Sequence, residues 1–153
     1  MTLEAVLAYL HLMAILSWVV FISSTAALAR VEWLNAAVVD RLVRVDLIAN
    51  VGGALVLLTG LARMGWGMKG AAWYGAQPLL WAKLVLMAVM LAAAWRTRVQ
   101  LLSWQRRLRS SGQLPPADEI ATLRQRVMRS SHLMLLLPIA GVMLARGIAT
   151  VAR

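Results

Sequence analysis

Residues 6–29 read VLAYLHLMAILSWVVFISSTAALA. These twenty-four residues carry no formal charge, and as a helix they span about 36 Å, enough to cross a hydrocarbon layer about 30 Å thick. Lipid offers backbone N–H and C=O groups no partners, so such a stretch has to pair them within itself, as a helix does. Three further apolar runs, 47–61, 79–95 and 133–145, reach spanning length once the adjacent turns are added. The fold class is therefore all-α: a polytopic membrane protein built as a four-transmembrane-helix bundle in one domain. Its 61% hydrophobic content and mean hydropathy of +0.74 lie outside the range of ordinary soluble domains. The first run lacks a basic leader and is longer than the apolar core of a signal peptide, so it reads as a span.

Charge sets the orientation. The net charge of +10 is concentrated between the third and fourth runs, at Arg96, Arg98, Arg106, Arg107, Arg109, Arg124, Arg126 and Arg129. Only Arg63 and Lys69 flank the segment between the second and third runs. The bias predicts a cytoplasmic third loop, with the N-terminus, the 65–77 loop and the C-terminus outside. So placed, the arginines read as a topology signal facing anionic lipid, and no nucleic acid partner is expected. With no cysteine in the chain, disulfides, thiolate metal sites and iron–sulfur clusters are excluded.

Local signals place helices over about 3–29, 36–63, 78–110 and 117–150. Asn35 is a candidate N-cap, MGWGMKG breaks the second helix, and Pro78 suits a first helical turn. SSGQLPP is the clearest turn, and Asp118 and Glu119 suit the positive first turn of the helix after it. The third and fourth helices should therefore extend beyond the bilayer as a cytoplasmic helical hairpin. Small residues four apart, Ala49/Gly53, Ala88/Ala92 and Gly141/Ala145, predict close helix packing.

Polar residues inside spans are the functional candidates. Glu4, His11, Trp18 and Thr25 recur every seven residues and share one face, which should turn into the bundle. A second stripe runs through Asp46, Asn50, Gly53, Leu57, Gly60 and Met64; its glycines favour close packing over room for a flat cofactor. Lys83 enters the third helix with Met87 and Met90 on its face. Topology then sorts an outer group, His11, Arg63, Lys83 and Arg146, from an inner group, Arg44, Asp46, Asn50 and His132.

One imidazole at depth with three cations suits a porphyrin, the imidazole on iron and the cations on the propionates. The bland alternatives are snorkelling arginines and a neutral His11 bonded to Thr or backbone. Helical rise separates His11 from His132 by about 10–15 Å along the membrane normal, which disfavours an axial pair. His132 is instead expected to bond Asp46 or Asn50, as an anchor or proton relay. Copper on His11 and Met87 ranks second, because thioethers favour Cu(I) but methionine also fills cores. A cofactor-free accessory subunit is the third reading.

The segments AYLHLMAILSWVVF, VDLIANVGGALVLLTGLARM, PLLWAKLVLM and HLMLLLPIAGVMLARGI resemble an uncharacterised bacterial membrane family, domain of unknown function 2214, over nearly the whole chain. More distantly the layout is similar to the HemJ and CopD group. The LHxxxxxxW pattern is matched by His11 and Trp18, and the lysine that opens the third helix by Lys83. LLWAK has Trp81 where HemJ proteins carry a further histidine, and SSHLML replaces their Asn-Glu-x-Pro pattern. The resemblance implies haem b held by His11, with Lys83, Arg63, Arg146 and Trp18 around it. It also implies electron transfer or HemJ-like porphyrinogen oxidation, with quinone or porphyrin as partner. Beyond the lipid bilayer, homo-oligomerisation is left open.

Overall fold

The computed structural model describes residues 2–67 and 70–148. Six α-helices follow in order: α1 (Thr2–Leu28), α2 (Ala36–Trp66), α3 (Gly70–Gly75), α4 (Pro78–Ser111), α5 (Ala117–Met134) and α6 (Leu136–Ala145), with a 3₁₀ turn at Val31–Trp33. No strand occurs among the described residues. Four helical stretches are long and apolar enough to span a membrane: α1, α2, α4, and α5 continued by α6. At most 28% of any span's apolar window is buried within the chain, so most of its apolar surface faces outward, as lipid requires.

Helix ends follow local chemistry. The Asn35 side chain accepts from the Val38 N–H at 3.0 Å and caps α2. At the other end the Gly67 N–H closes on the Arg63 carbonyl, and a Cβ at Gly67 would collide with that oxygen, so only glycine fits. Pro78 opens α4 at its first turn, and Gly112, in the left-handed region at φ 69°, ends it.

Two expected boundaries change. The 65–77 segment holds α3, a single short helix tied to α4 by the Trp81 indole N–H donating to the Gly75 carbonyl at 3.0 Å. The helix expected over 117–150 is broken between Met134 and Leu136, and α6 ends at Ala145. Pro138 explains the break: it offers no N–H to the Met134 carbonyl, and its ring crowds that group. The Leu135 N–H turns instead to His132, at 3.1 Å. The rest of that expected helix, 149–150, lies outside the described residues.

At 34 residues α4 is about 51 Å long, some 20 Å more than the hydrocarbon layer. Its second half, from Arg96, pairs with α5 as the expected hairpin. Trp104 is buried there and donates to Glu119 at 2.7 Å, and Arg107 grips the same carboxylate at 3.2 and 3.3 Å. Arg126 donates to Gln100, and Gln105 to Asp40 of α2. Ile120, Leu123 and Leu101 fill the space between.

In the membrane-crossing half, α1 packs on α2 through Trp18. Gly52 lies under the Trp18 backbone and Gly53 under its ring. Ala49 and Gly53 are thus a buried close-packing pair. Ala88 and Ala92 are not: both are exposed, and α4 turns Met87 and Met90 inward instead. Gly141 faces α4, while the side chain of its expected partner Ala145 lies outside those described.

Candidate functional site

The seven-residue ladder of α1 does face inward. His11, Trp18 and Thr25 are buried, and Glu4 is half-buried near the end of the helix. His11 and Trp18 open onto a cavity of about 140 Å³ between α1, α2, α4 and α6, with Tyr74 of α3 also on its wall. Gly60 faces His11: a Cβ there would approach the imidazole Cε1 to 3.4 Å. The two stripe glycines therefore divide the two roles considered for them. Gly53 packs under Trp18, and Gly60 leaves room beside His11.

The imidazole has a defined tautomer. Its Nδ1 lies 2.8 Å from the Thr59 hydroxyl, and that hydroxyl lies 2.6 Å from the Leu55 carbonyl. A carbonyl can only accept, so the single Thr59 proton goes to Leu55 and Nδ1–H of His11 must donate to Thr59. In the neutral ring, Nε2 then carries the lone pair, and no other hydrogen bond holds His11 among the described residues. This is the arrangement seen in metal-ligating histidines, where one nitrogen is fixed by a neighbour and the other is left to coordinate or accept a proton.

Two cations share the cavity wall with His11. Lys83 and Arg63 both line it, and among the described residues no carboxylate does. The Lys83 ammonium lies over the backbone of α6, 3.5 Å from where a Gly141 Cβ would be. Neither cation forms a salt bridge among the described residues. The remaining wall is apolar, with Val56, Leu57, Leu80 and Leu137 and the thioethers of Met64, Met87 and Met134.

Arg146, expected with this group, is exposed at the end of α6 and does not line the cavity. The inner group also reorganises. Asp46 is buried and lies 3.6 Å from Arg98, and Asn50 donates to the Asp46 backbone carbonyl at 2.8 Å. His132 is exposed and bonds the Met128 carbonyl of its own helix, so it neither anchors Asp46 nor meets His11. Because α5 stops at Met134, His132 falls on its last turn, facing away from the bundle. Arg44 is exposed too, and Arg98 takes the place beside Asp46.

Sequence reading missed Thr59, Tyr74 and Arg98. Thr59 lies one position off the polar stripe of α2 and beside Gly60, so a threonine next to the stripe was the available signal. Tyr74 sits in a segment that reads as a loop, and Arg98 was hidden among arginines that serve topology.

Among the described residues no group of three or more His, Cys, Asp or Glu side chains is placed to hold a metal ion. A family model described as "Predicted membrane protein (DUF2214)" matches residues 3–149. No curated protein and no solved structure matches the chain.

Proposed function

The chain belongs to the DUF2214 family of predicted membrane proteins, and from that premise we propose that it binds an acidic, largely apolar molecule inside the His11 end of its bundle. The observation that carries this reading is the meeting of Lys83 and Arg63 on one apolar cavity with no carboxylate among the described residues of its wall. Cations in such surroundings are costly unless an anion offsets them. A ligand carboxylate or phosphate between the two would supply that charge, and its apolar body would lie against Leu57, Val56 and Met87.

Haem b is the member of this class that engages all three polar groups. His11 would offer Nε2 to iron, while Lys83 and Arg63 would take the propionates. The donor set fits. The cavity of about 140 Å³ is open on one side, where the body of a larger ligand would be accommodated. Bound there, haem would supply one-electron chemistry for electron transfer or HemJ-like porphyrinogen oxidation with a quinone partner. What this chain's own residues do is fix the imidazole tautomer, present two charges and exclude water with an apolar wall. Copper is the weaker reading, for although thioethers surround His11, Lys83 and Arg63 repel a metal cation. The charge bias along the chain would place this cavity on the outer side of a bacterial inner membrane.

Protein purified from haem-replete cells tests both levels. Haem b predicts a Soret band that shifts on reduction with dithionite and is lost in His11→Ala. The broader class predicts an acidic amphiphile in a solvent extract, at least tenfold depleted in the Lys83→Met/Arg63→Met double variant. A colourless preparation removes haem. An extract unchanged by the double variant removes the acidic ligand as well, and leaves a cofactor-free accessory subunit.

A further inference from the structure

Behind Trp18, on the side away from the ligand cavity, lies a second and much smaller space of about 10 Å³. Polar side chains from four helices line it: Trp18 and Thr25 of α1, Asp46 and Asn50 of α2, Thr97 of α4 and Ser130 of α5. Several of these are already satisfied. Thr25 donates to the Phe21 carbonyl, Thr97 to the Ala93 carbonyl, and Asn50 to the Asp46 carbonyl. Two atoms of these lining residues are not: the Trp18 indole Nε1 and the Asp46 Oδ2 have no hydrogen-bond partner among the described residues. Their residues are only 1% and 3% exposed, so solvent outside the bundle does not serve them. Arg98 stays 3.6 Å from Oδ2, and the same Nη1 donates to the Val43 carbonyl at 2.6 Å.

We infer that this space is a binding site for one internal water molecule, which accepts from Trp18 Nε1 and donates to Asp46 Oδ2. The chemistry of the wall selects the occupant. An indole N–H can only donate and an ionised carboxylate can only accept, so the guest must do both. A metal cation would face the positive edge of the indole N–H with Arg98 close by, and an anion would face Asp46. The space is at the lower limit for a single water, and buried waters commonly make about three such bonds. Asn50 is at hand for a third. A buried polar atom without a hydrogen-bond partner carries its full desolvation cost, which a bound water removes.

The site gives Trp18 two faces. Trp18 lines both spaces, so it partitions the apolar ligand cavity from a hydrated polar pocket that ties α1, α2, α4 and α5 together where the hairpin leaves the membrane.

The test is nuclear magnetic resonance on the full chain in detergent micelles, with ¹⁵N-labelled tryptophan and Trp18 assigned by its loss in Trp18→Phe. The Trp18 indole proton should show a cross-peak at the water frequency, with the rotating-frame sign of dipolar transfer and not of chemical exchange. Thr97→Val and Ser130→Ala should keep that cross-peak, which separates a bound water from an exchanging hydroxyl. Asp46→Asn should keep it, and Asp46→Leu should abolish it. An indole resonance with no water cross-peak, or a cross-peak that disappears in Thr97→Val or Ser130→Ala, would overturn the inference.

Discussion

At the scale of the residue, His11 and Thr59 form the most consequential pair. Thr59 passes its proton to Leu55 and thereby obliges the imidazole to donate from Nδ1. Thr59→Val should release that restraint, and ¹⁵N shifts of labelled histidine should show a mixture of tautomers where the native chain shows Nδ1–H. The same variant leaves a buried N–H unpaired and should lower stability by about 1–3 kcal/mol, whereas Thr59→Ser should preserve both properties. Gly53 makes a second test at this scale. A methyl added there would approach both Leu91 and the Trp18 ring to 3.0 Å, so Gly53→Ala should destabilise by about 1–3 kcal/mol in thermal melts. Residue-scale reading singled out His11, Trp18, Lys83 and Arg63, which line one cavity, because polar groups in an apolar span stand out against their background. It failed for His132 and Arg146, whose places depend on where the last helix breaks. It failed for Arg98, because one arginine among eight carries no mark of having a buried partner.

At the scale of the element, the interruption at Leu135 and the hairpin each make a prediction. Pro138→Ala restores the missing donor to the Met134 carbonyl, so α5 and α6 should fuse. Amide hydrogen exchange around residues 134–138 should then slow, and the cavity wall should shift at Leu137 and Gly141, both of which line it. In the hairpin, the hydrogen bonds from Arg107, with that from Trp104 behind them, hold the Glu119 carboxyl below its ordinary range. A carboxylate lowered in the folded state contributes stability that is complete above its unfolded value, 4.5, and is lost as pH falls through the folded one. Trp104 fluorescence should therefore change on acidification below about pH 4.5, and Glu119→Gln should remove that change. The capped start of α2, the proline start of α4 and the turn between α4 and α5 were all legible from the sequence, since each is written in one or two residues. The α5–α6 break was not. A single proline in an apolar run is compatible with a kinked but continuous helix, and tertiary packing decides between the two.

At the scale of the whole molecule, what was legible was the architecture. Four apolar stretches and an arginine-rich hairpin follow from solvation and charge alone, whereas the assembly of the cavity required knowing which faces meet. Orientation in the membrane is open to direct measurement, because the chain has no native cysteine to interfere. With a membrane-impermeant maleimide on intact cells, Ala72→Cys, exposed on α3, should be labelled at once. Ser111→Cys, exposed at the hairpin tip, should be labelled only after permeabilisation. The reverse pattern would invert the expected topology and move the cavity to the cytoplasmic side.

The last two long segments are built unequally. Helix α4 is a single rod that carries Lys83 near one end and Trp104 about 32 Å further along. Opposite it stand two shorter rods joined at Leu135, one belonging to the hairpin and the other to the cavity wall. The fold thus sets one unbroken helix beside an interrupted one, and the interruption falls between the hairpin and the cavity wall.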